Sequence, residues 1–262
     1  MIIKTIDLNT KEIVQPNEKL IITIGAFDGL HIGHKKLFSE LFNEKVKRGN
    51  EYKIAVLTFS KHPDFYLNKR DERNIIESNE NKFKNFTEYG VDYVFLLDKE
   101  VLSLTYQDFH RQILDNINTK IVIVGQDFKY GYKALGNVST LEEDYTVKSY
   151  LVINNSGEKV SSSEIRELLK NGKIEETNKL LGRNYFVESD NFEIINNQCH
   201  LKYHEDMIRL LEGAYFGVIK ANDFTLATQV FFKKDYVMFE INDDFKQKDL
   251  MKIKLEIISK IN

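Results

Sequence analysis

Four nearly uninterrupted apolar runs, Leu20 to Ile24, Ile54 to Phe59, Tyr93 to Leu97 and Ile121 to Val124, constrain the fold more than any other feature. A strand with one wet face alternates apolar and polar residues; a continuous run is a strand buried on both faces, which means a parallel sheet covered by helices. Between the runs lie stretches of roughly 20–35 residues, the length of right-handed βαβ crossovers. They carry apolar residues at helical spacing: Leu37, Leu41 and Phe42, then Phe83 and Phe86, then Phe109, Ile113 and Leu114. A fifth run comes at Tyr150 to Ile153. The first half therefore reads as a Rossmann-like α/β domain. Ligands of such sheets bind beyond the carboxyl ends of the strands, which directs attention to the segments just after Ile24, Phe59 and Val124.

The pattern then changes. Ser161 and Glu164 have capping-box spacing ahead of Ile165, Leu168 and Leu169, so a helix should start there and stop near Gly172. Ile174, Thr177 and Leu181 suggest a second short helix closed by Gly182. Beyond it, Ala214 to Ile219, Leu226 to Phe232, Tyr236 to Ile241 and Lys252 to Ile258 read as short strands separated by Asn- and Asp-rich turns. The expected organisation is a domain over 1–183 and a small, reduced antiparallel β domain, barrel-like, over 184–262. The 262 residues, 42% of them hydrophobic, can supply two modest cores. A formal charge of −3 provides no global field for nucleic acid or anionic lipid. Cys199 is the single cysteine, no apolar run approaches membrane-spanning length, and the opening Met1-Ile2-Ile3-Lys4 lacks a signal-peptide layout. The expectation is a cytoplasmic protein with neither membrane nor nucleic-acid partner.

The richest chemistry stands immediately after the first buried strand, in Gly25-Ala26-Phe27-Asp28-Gly29-Leu30-His31-Ile32-Gly33-His34. Glycines let backbone approach a ligand closely, and a helix opening here offers N–H groups and a positive dipole end to phosphate. Gly25, Ala26, Phe27, Asp28 and Gly33 are the candidate phosphate-loop residues. His31 and His34, three apart, share one face of the first turn and can donate to charge building on a phosphate. Two solvated histidines, or a two-His metal site completed by Asp28, are the competing readings. Further on, Ser161, Ser162 and Arg166 cluster at a helix start able to hold a triphosphate, or form an ordinary cap with Arg166 in solvent.

The set resembles the H-x-G-H nucleotidyltransferases, and within them the bacterial bifunctional riboflavin kinase/FMN adenylyltransferase (FAD synthetase) family. Besides His31-Ile32-Gly33-His34, the matching motifs are Thr58-Phe59-Ser60-Lys61-His62-Pro63, Tyr89-Gly90-Val91-Asp92-Tyr93-Val94, Val124-Gly125-Gln126-Asp127-Phe128-Lys129-Tyr130-Gly131, Val160-Ser161-Ser162-Ser163-Glu164-Ile165-Arg166 and Lys179-Leu180-Leu181-Gly182-Arg183. The resemblance implies Mg²⁺-dependent transfer of AMP from ATP to FMN, with His31, His34 and Arg166 catalytic. It places ATP on Gly25 to Asp28, Gly33, His34, Ser161, Ser162 and Arg166. It places FMN on Phe59, His62, Asp127 and Phe128, the aromatics stacking on the isoalloxazine and Asp127 bonding a ring edge or ribityl hydroxyl. Phe59 and Phe128 are otherwise core, and His62, fixed by Pro63, otherwise shapes its loop. The ligands of Mg²⁺ are left open.

The carboxyl-terminal half departs from the family. Tyr185 to Leu211 holds neither the glycine-rich loop nor the Pro-Thr-Ala-Asn motif of the kinase half, and proline occurs only at positions 16 and 63. With the chain stopping at Asn262, the expectation is that riboflavin kinase activity is lost. Two alternatives keep other functions in view: a nucleotidyltransferase acting on pantetheine phosphate or a nicotinate nucleotide, and a catalytically silent flavin- or nucleotide-binding regulator.

Overall fold

The computed structural model describes residues 1–6, 8, 18–61, 63–66, 74–151, 157, 159–222, 224–242, 245 and 251–261. It divides into two compact units, Met1–Asp71 with Glu77–Val160, and Glu72–Ile76 with Ser161–Asn262.

The first unit is built on six parallel strands, β1 (Ile2–Thr5), β2 (Lys19–Ile24), β3 (Tyr52–Phe59), β4 (Tyr93–Leu97), β5 (Thr119–Gly125) and β6 (Thr146–Tyr150), in the order β1-β4-β3-β2-β5-β6. The four apolar runs form the four inner strands, whose central residues are almost fully buried. The outer two differ from expectation. β1 was not anticipated, being four mostly exposed residues, and β6 starts at Thr146, earlier than the run from Tyr150; Val152 and Ile153 lie outside the described residues. Both are edge strands with little burial, so neither carries a continuous apolar signature. The chain builds β2, β3 and β4 to one side and then crosses back to lay β5 against β2. The sheet order thus reverses between β2 and β5, and ligands of such sheets bind beyond the carboxyl ends of the strands at that point.

Helices α1 (Ile32–Arg48), α2 (Pro63–Tyr66), α3 (Asn79–Glu88), α4 (Tyr106–Phe109) and α5 (Val138–Glu142) connect the strands. α1 buries Leu37, Phe38 and Leu41 against the sheet; Phe42, expected on that stripe, is 53% exposed, because one residue beyond Leu41 turns it about 100° around the helix. Phe86 is buried as its spacing predicts. Phe109, Ile113 and Leu114 are buried too, on a helix that changes form after Phe109: His110–Leu114 is a π-helical turn, closed by Asp115 N–H to His110 O at 2.9 Å.

In the second unit, α6 (Ser162–Lys170) and α7 (Ile174–Leu181) have the anticipated ends, Ser161 accepting from Glu164 N–H at 3.2 Å and Gly182 closing α7 at φ +61°. Seven antiparallel strands come next, β7 (Tyr185–Ser189), β8 (Phe192–Ile195), β9 (Gln198–Lys202), β10 (Gly213–Ala221), β11 (Phe224–Phe232), β12 (Tyr236–Glu240) and β13 (Ile253–Lys260). They pair as β7-β13-β10-β11-β12-β9-β8, a curled half-barrel. The last four were expected; β7 to β9 were not. The chain passes from the first compact unit to the second at Val160/Ser161, so α6 and α7 group with the antiparallel strands. Asn178 of α7 is one reason: its Nδ2 donates to Ile257 O at 2.9 Å and its Oδ1 accepts from Tyr185 N–H at 2.7 Å, tying the helix to β13 and β7. No helix among the described residues is long and apolar enough to cross a membrane.

Candidate active site

Gly25 follows β2 directly, and a Cβ there would sit tightly, 3.1 Å from the Phe27 ring. The next residues turn tightly, with Phe27, Gly29 and Leu30 at φ +52°, +82° and +40°. Left-handed Phe and Leu are strained and persist only where surroundings over-determine them. Here burial does so. Phe27 is 2% exposed and packs edge-on to Phe38 and His34, and Leu30 is 1% exposed. The apolar side chains of the loop thus point into the core, and Phe27 has only backbone to offer a ligand.

His31 is the N-cap of α1: its Nδ1 accepts the His34 backbone N–H at 3.3 Å. An accepting Nδ1 carries no proton, so neutral His31 is protonated on Nε2. The His34 ring stacks on it at 3.7 Å between centroids and 18° between planes. His34 Nδ1 is shut off from solvent and has no hydrogen-bond partner among the described residues. A buried N–H without an acceptor is costly, so its proton also belongs on Nε2. Burial, then the neighbouring His31 and Lys159, hold the His34 pKa well below the usual histidine value. Two imidazoles, each carrying its proton on Nε2 when neutral, therefore stand at the start of a 17-residue helix with no acidic side chain in its first turn.

The lowered pKa predicts a stability profile. Unfolded His34 takes up a proton near pH 6.5, whereas folded His34 does so only at much lower pH. On acidification below 6.5 the unfolded state gains a proton that the folded state does not. The contribution is fully present above pH 6.5 and is lost as pH falls, at up to about 1.4 kcal/mol per pH unit. Thermal unfolding from pH 7.5 to 5 should fall less steeply in His34→Gln than in the wild type; parallel profiles would reject the assignment.

Asp28 is 6% exposed and its Oδ1 accepts Glu77 N–H at 3.2 Å. Lys82 of α3 faces the same two carboxylates and donates to Phe59 O at 3.3 Å; burial brings its ammonium down to about 8, with Asp28 and Glu77 acting the other way. Nothing in the local sequence separates Lys82 from a surface lysine, so Lys82 and Glu77 went unnoticed. No group of three or more His, Cys, Asp or Glu able to hold a metal occurs among the described residues. The donors around Asp28 therefore do not form a chain-built cage.

Beside the loop, a cleft of about 1030 Å³ opens at the carboxyl ends of β2, β3 and β4. Gly25 and Ala26 form part of its wall, so cleft and loop share backbone. The rest is largely apolar and aromatic: Ile24, Phe59, Leu97, Phe109, Phe128 and Tyr130, with Lys99, Lys129 and Lys133 also lining it. Phe59 and Phe128 thus lie together in one wall. Asp127 is not part of the lining; its half-exposed carboxylate pairs with Lys159. His62 lies outside the described residues. Tyr130 was missed as a site residue, although it stands two positions beyond Phe128 in the same motif. Ser161, Ser162 and Arg166 belong to the second unit, where Arg166 is 4% exposed and its Nε donates to Asn74 O at 2.8 Å.

Residues 13–164 match the family model described as FAD synthetase. The chain belongs to the FAD synthetase family. Similar members include the bifunctional riboflavin kinase/FMN adenylyltransferase of Buchnera aphidicola subsp. Schizaphis graminum, 33% identical over 181 residues, 65% of this chain and 57% of that one. The FAD synthetase of Listeria monocytogenes is 30% identical over 177 residues, 64% of this chain and 70% of that one. The match thus spans little more than half the length of the bifunctional relatives. The fold is shared over the full length of both chains with a crystal structure described as a macrolide-efflux protein from Streptococcus pneumoniae, at a TM-score of 0.84 and 23% identity.

Proposed function

We propose that this FAD synthetase family member transfers AMP from ATP to FMN, giving FAD and pyrophosphate. The observation that carries the proposal is the shared backbone of Gly25 and Ala26, which joins an aromatic cleft to the loop that opens α1. The isoalloxazine lies in the cleft against Phe59 and Phe128, and an FMN phosphate oxygen attacks the α-phosphorus of ATP in line. That P–O bond forms as the bond to pyrophosphate breaks, and the ionised FMN phosphate needs no base. Catalysis is then positioning and charge stabilisation, with His31, His34 and the amino end of α1 donating to the reacting phosphates. Ser161, Ser162 and Arg166 are assigned to the triphosphate on their motif alone. Mg²⁺, if bound with ATP, would supply neutralisation of phosphate charge and would rely on the nucleotide for most of its coordination. The aromatic wall fits a flavin better than pantetheine phosphate, which has no ring to stack.

The riboflavin kinase step is absent on this reading, since Tyr185 to Leu211 contains neither glycine nor threonine. A side-chain-bearing backbone rarely makes the close approach to phosphate that glycine permits. Incubation with MgATP and either FMN or riboflavin, and then separation of the flavins, tests both parts. FAD from FMN, and no FMN from riboflavin, is the expected result. Failure to make FAD from FMN would overturn the transferase assignment, and enzyme-dependent FMN would overturn the kinase loss.

A further inference from the structure

Among the buried titratable groups that adenylyl transfer, as assigned to the loop and the cleft, leaves unused, His110 stands nearest the cleft wall through its contact with Tyr130. His110 is 4% exposed and sits where α4 passes into its π-helical turn, a local form often found at functional positions. Its Nδ1 is 2.6 Å from Asp144 Oδ2 and its Nε2 is 2.5 Å from the Tyr130 hydroxyl, which is also 3.0 Å from Thr140 Oγ1. A carboxylate only accepts, so Nδ1 carries the proton and, in the neutral ring, Nε2 accepts from Tyr130 O–H. Burial pushes the Tyr130 hydroxyl up to about 12, which keeps it protonated as that donor. With the ring neutral, the direction of each bond from Asp144 to Tyr130 is set.

These hydrogen bonds lead to the wall of the cleft. Phe128, Tyr130 and His110 form a ladder of nearly parallel rings, with centroids 5.5 and 5.7 Å apart and planes within 9° and 15°. Phe128 and Tyr130 both line the cleft; His110 backs them. Tyr130 also exchanges two backbone hydrogen bonds with Gly136, and a Cβ on Gly136 would lie 2.8 Å from the Tyr130 ring. The ring is thus held by backbone, packing and hydroxyl at once. Thr140 already offers the Tyr130 hydroxyl a partner; a histidine oriented by a carboxylate adds a second, the arrangement that fixes a ring where loose packing would let it move.

We propose that His110, oriented by Asp144, is a positioning residue for flavin binding: it fixes Tyr130, and through the stack Phe128, as a preordered wall for the isoalloxazine. The inference rests on the assignment of the cleft to FMN. Its physical content is preorganisation, since side chains already immobile in the free protein lose less freedom when the ligand docks.

Quenching of FMN fluorescence, titrated without ATP, measures the effect directly, and the KM for ATP measured alongside reports general damage. His110→Leu should weaken FMN binding about tenfold, roughly 1.4 kcal/mol. His110→Gln, whose amide can still meet the Tyr130 hydroxyl, should recover most of that loss. Tyr130→Phe, which also removes the Thr140 contact, should weaken FMN binding at least as much as His110→Leu, and in the Tyr130→Phe background His110→Leu should add nothing further, because the His110–Tyr130 connection is already cut. The KM for ATP should hold throughout. The proposal is overturned if FMN affinity stays within twofold in all variants, if the losses add, or if FMN affinity and ATP KM worsen together. Should His110→Leu not fold, Tyr130→Phe and His110→Gln decide alone. A wild type that leaves FMN fluorescence unquenched overturns the assignment of the cleft, and this inference with it; a wild type that quenches beside variants that bind equally well overturns this inference only.

Discussion

Replacing His34 by alanine is expected to lower adenylyl transfer to FMN by roughly 10²–10³-fold, the effect of removing one preorganised donor to transition-state charge. The basis is a ring whose pKa is held well below the usual histidine value. Its Nδ1 is sealed from solvent without a partner among the described residues, and burial beside His31 keeps it neutral well below the usual histidine range. A neutral Nε2–H donor requires no protonation event to become active, so the pH–rate profile should carry no acid limb from His34 between about pH 6 and 8. His34→Gln, which places an amide N–H near the lost Nε2–H, should recover about tenfold over alanine. Steady-state turnover with MgATP and FMN decides the matter, and an alanine variant within threefold of wild type would remove His34 from the chemistry.

The parts of the fold legible in the sequence are those where burial leaves a local trace. The inner strands are legible because residues such as Ile21, Ile22, Val56 and Leu57 are buried on both faces of one sheet. β1 and β6 pair on one side only, and their residues Lys4 and Thr146 to Tyr150 keep an edge composition with no run to detect. β7 does alternate, with Tyr185, Val187 and Ser189 buried, but five residues of alternation without a turn signal are weak evidence. Side-chain direction was the other blind point. Phe27 stands in a loop full of ligand-binding features, yet its ring lies in the core, since a left-handed backbone there reverses the direction expected of an exposed loop residue. Lys82, Glu77 and His110 owe their surroundings to elements distant in the chain, and no spacing rule brings Asp144 to His110 across 34 positions.

His31 should separate under mutation into two functions that His34 does not combine. Its Nδ1 caps α1 through the His34 N–H, while its proton sits on Nε2. Alanine removes both: transfer should fall by roughly 10²–10³-fold, and loss of an N-cap acceptor costs about 1 kcal/mol of stability. Asparagine is among the best N-cap residues, and its side-chain oxygen can accept the same N–H while presenting no imidazole. His31→Asn is therefore expected to lose as much activity as His31→Ala while unfolding at nearly the wild-type denaturant concentration. The two measurements, turnover with FMN and the midpoint of chemical unfolding, are independent, so the outcomes are distinct. Equal destabilisation by Asn and Ala would mean that the 3.3 Å contact at Nδ1 does not act as a cap. Full activity in the Asn variant would mean that His31 serves the helix alone, leaving the charge on the reacting phosphates to His34 and the backbone N–H groups at the start of α1.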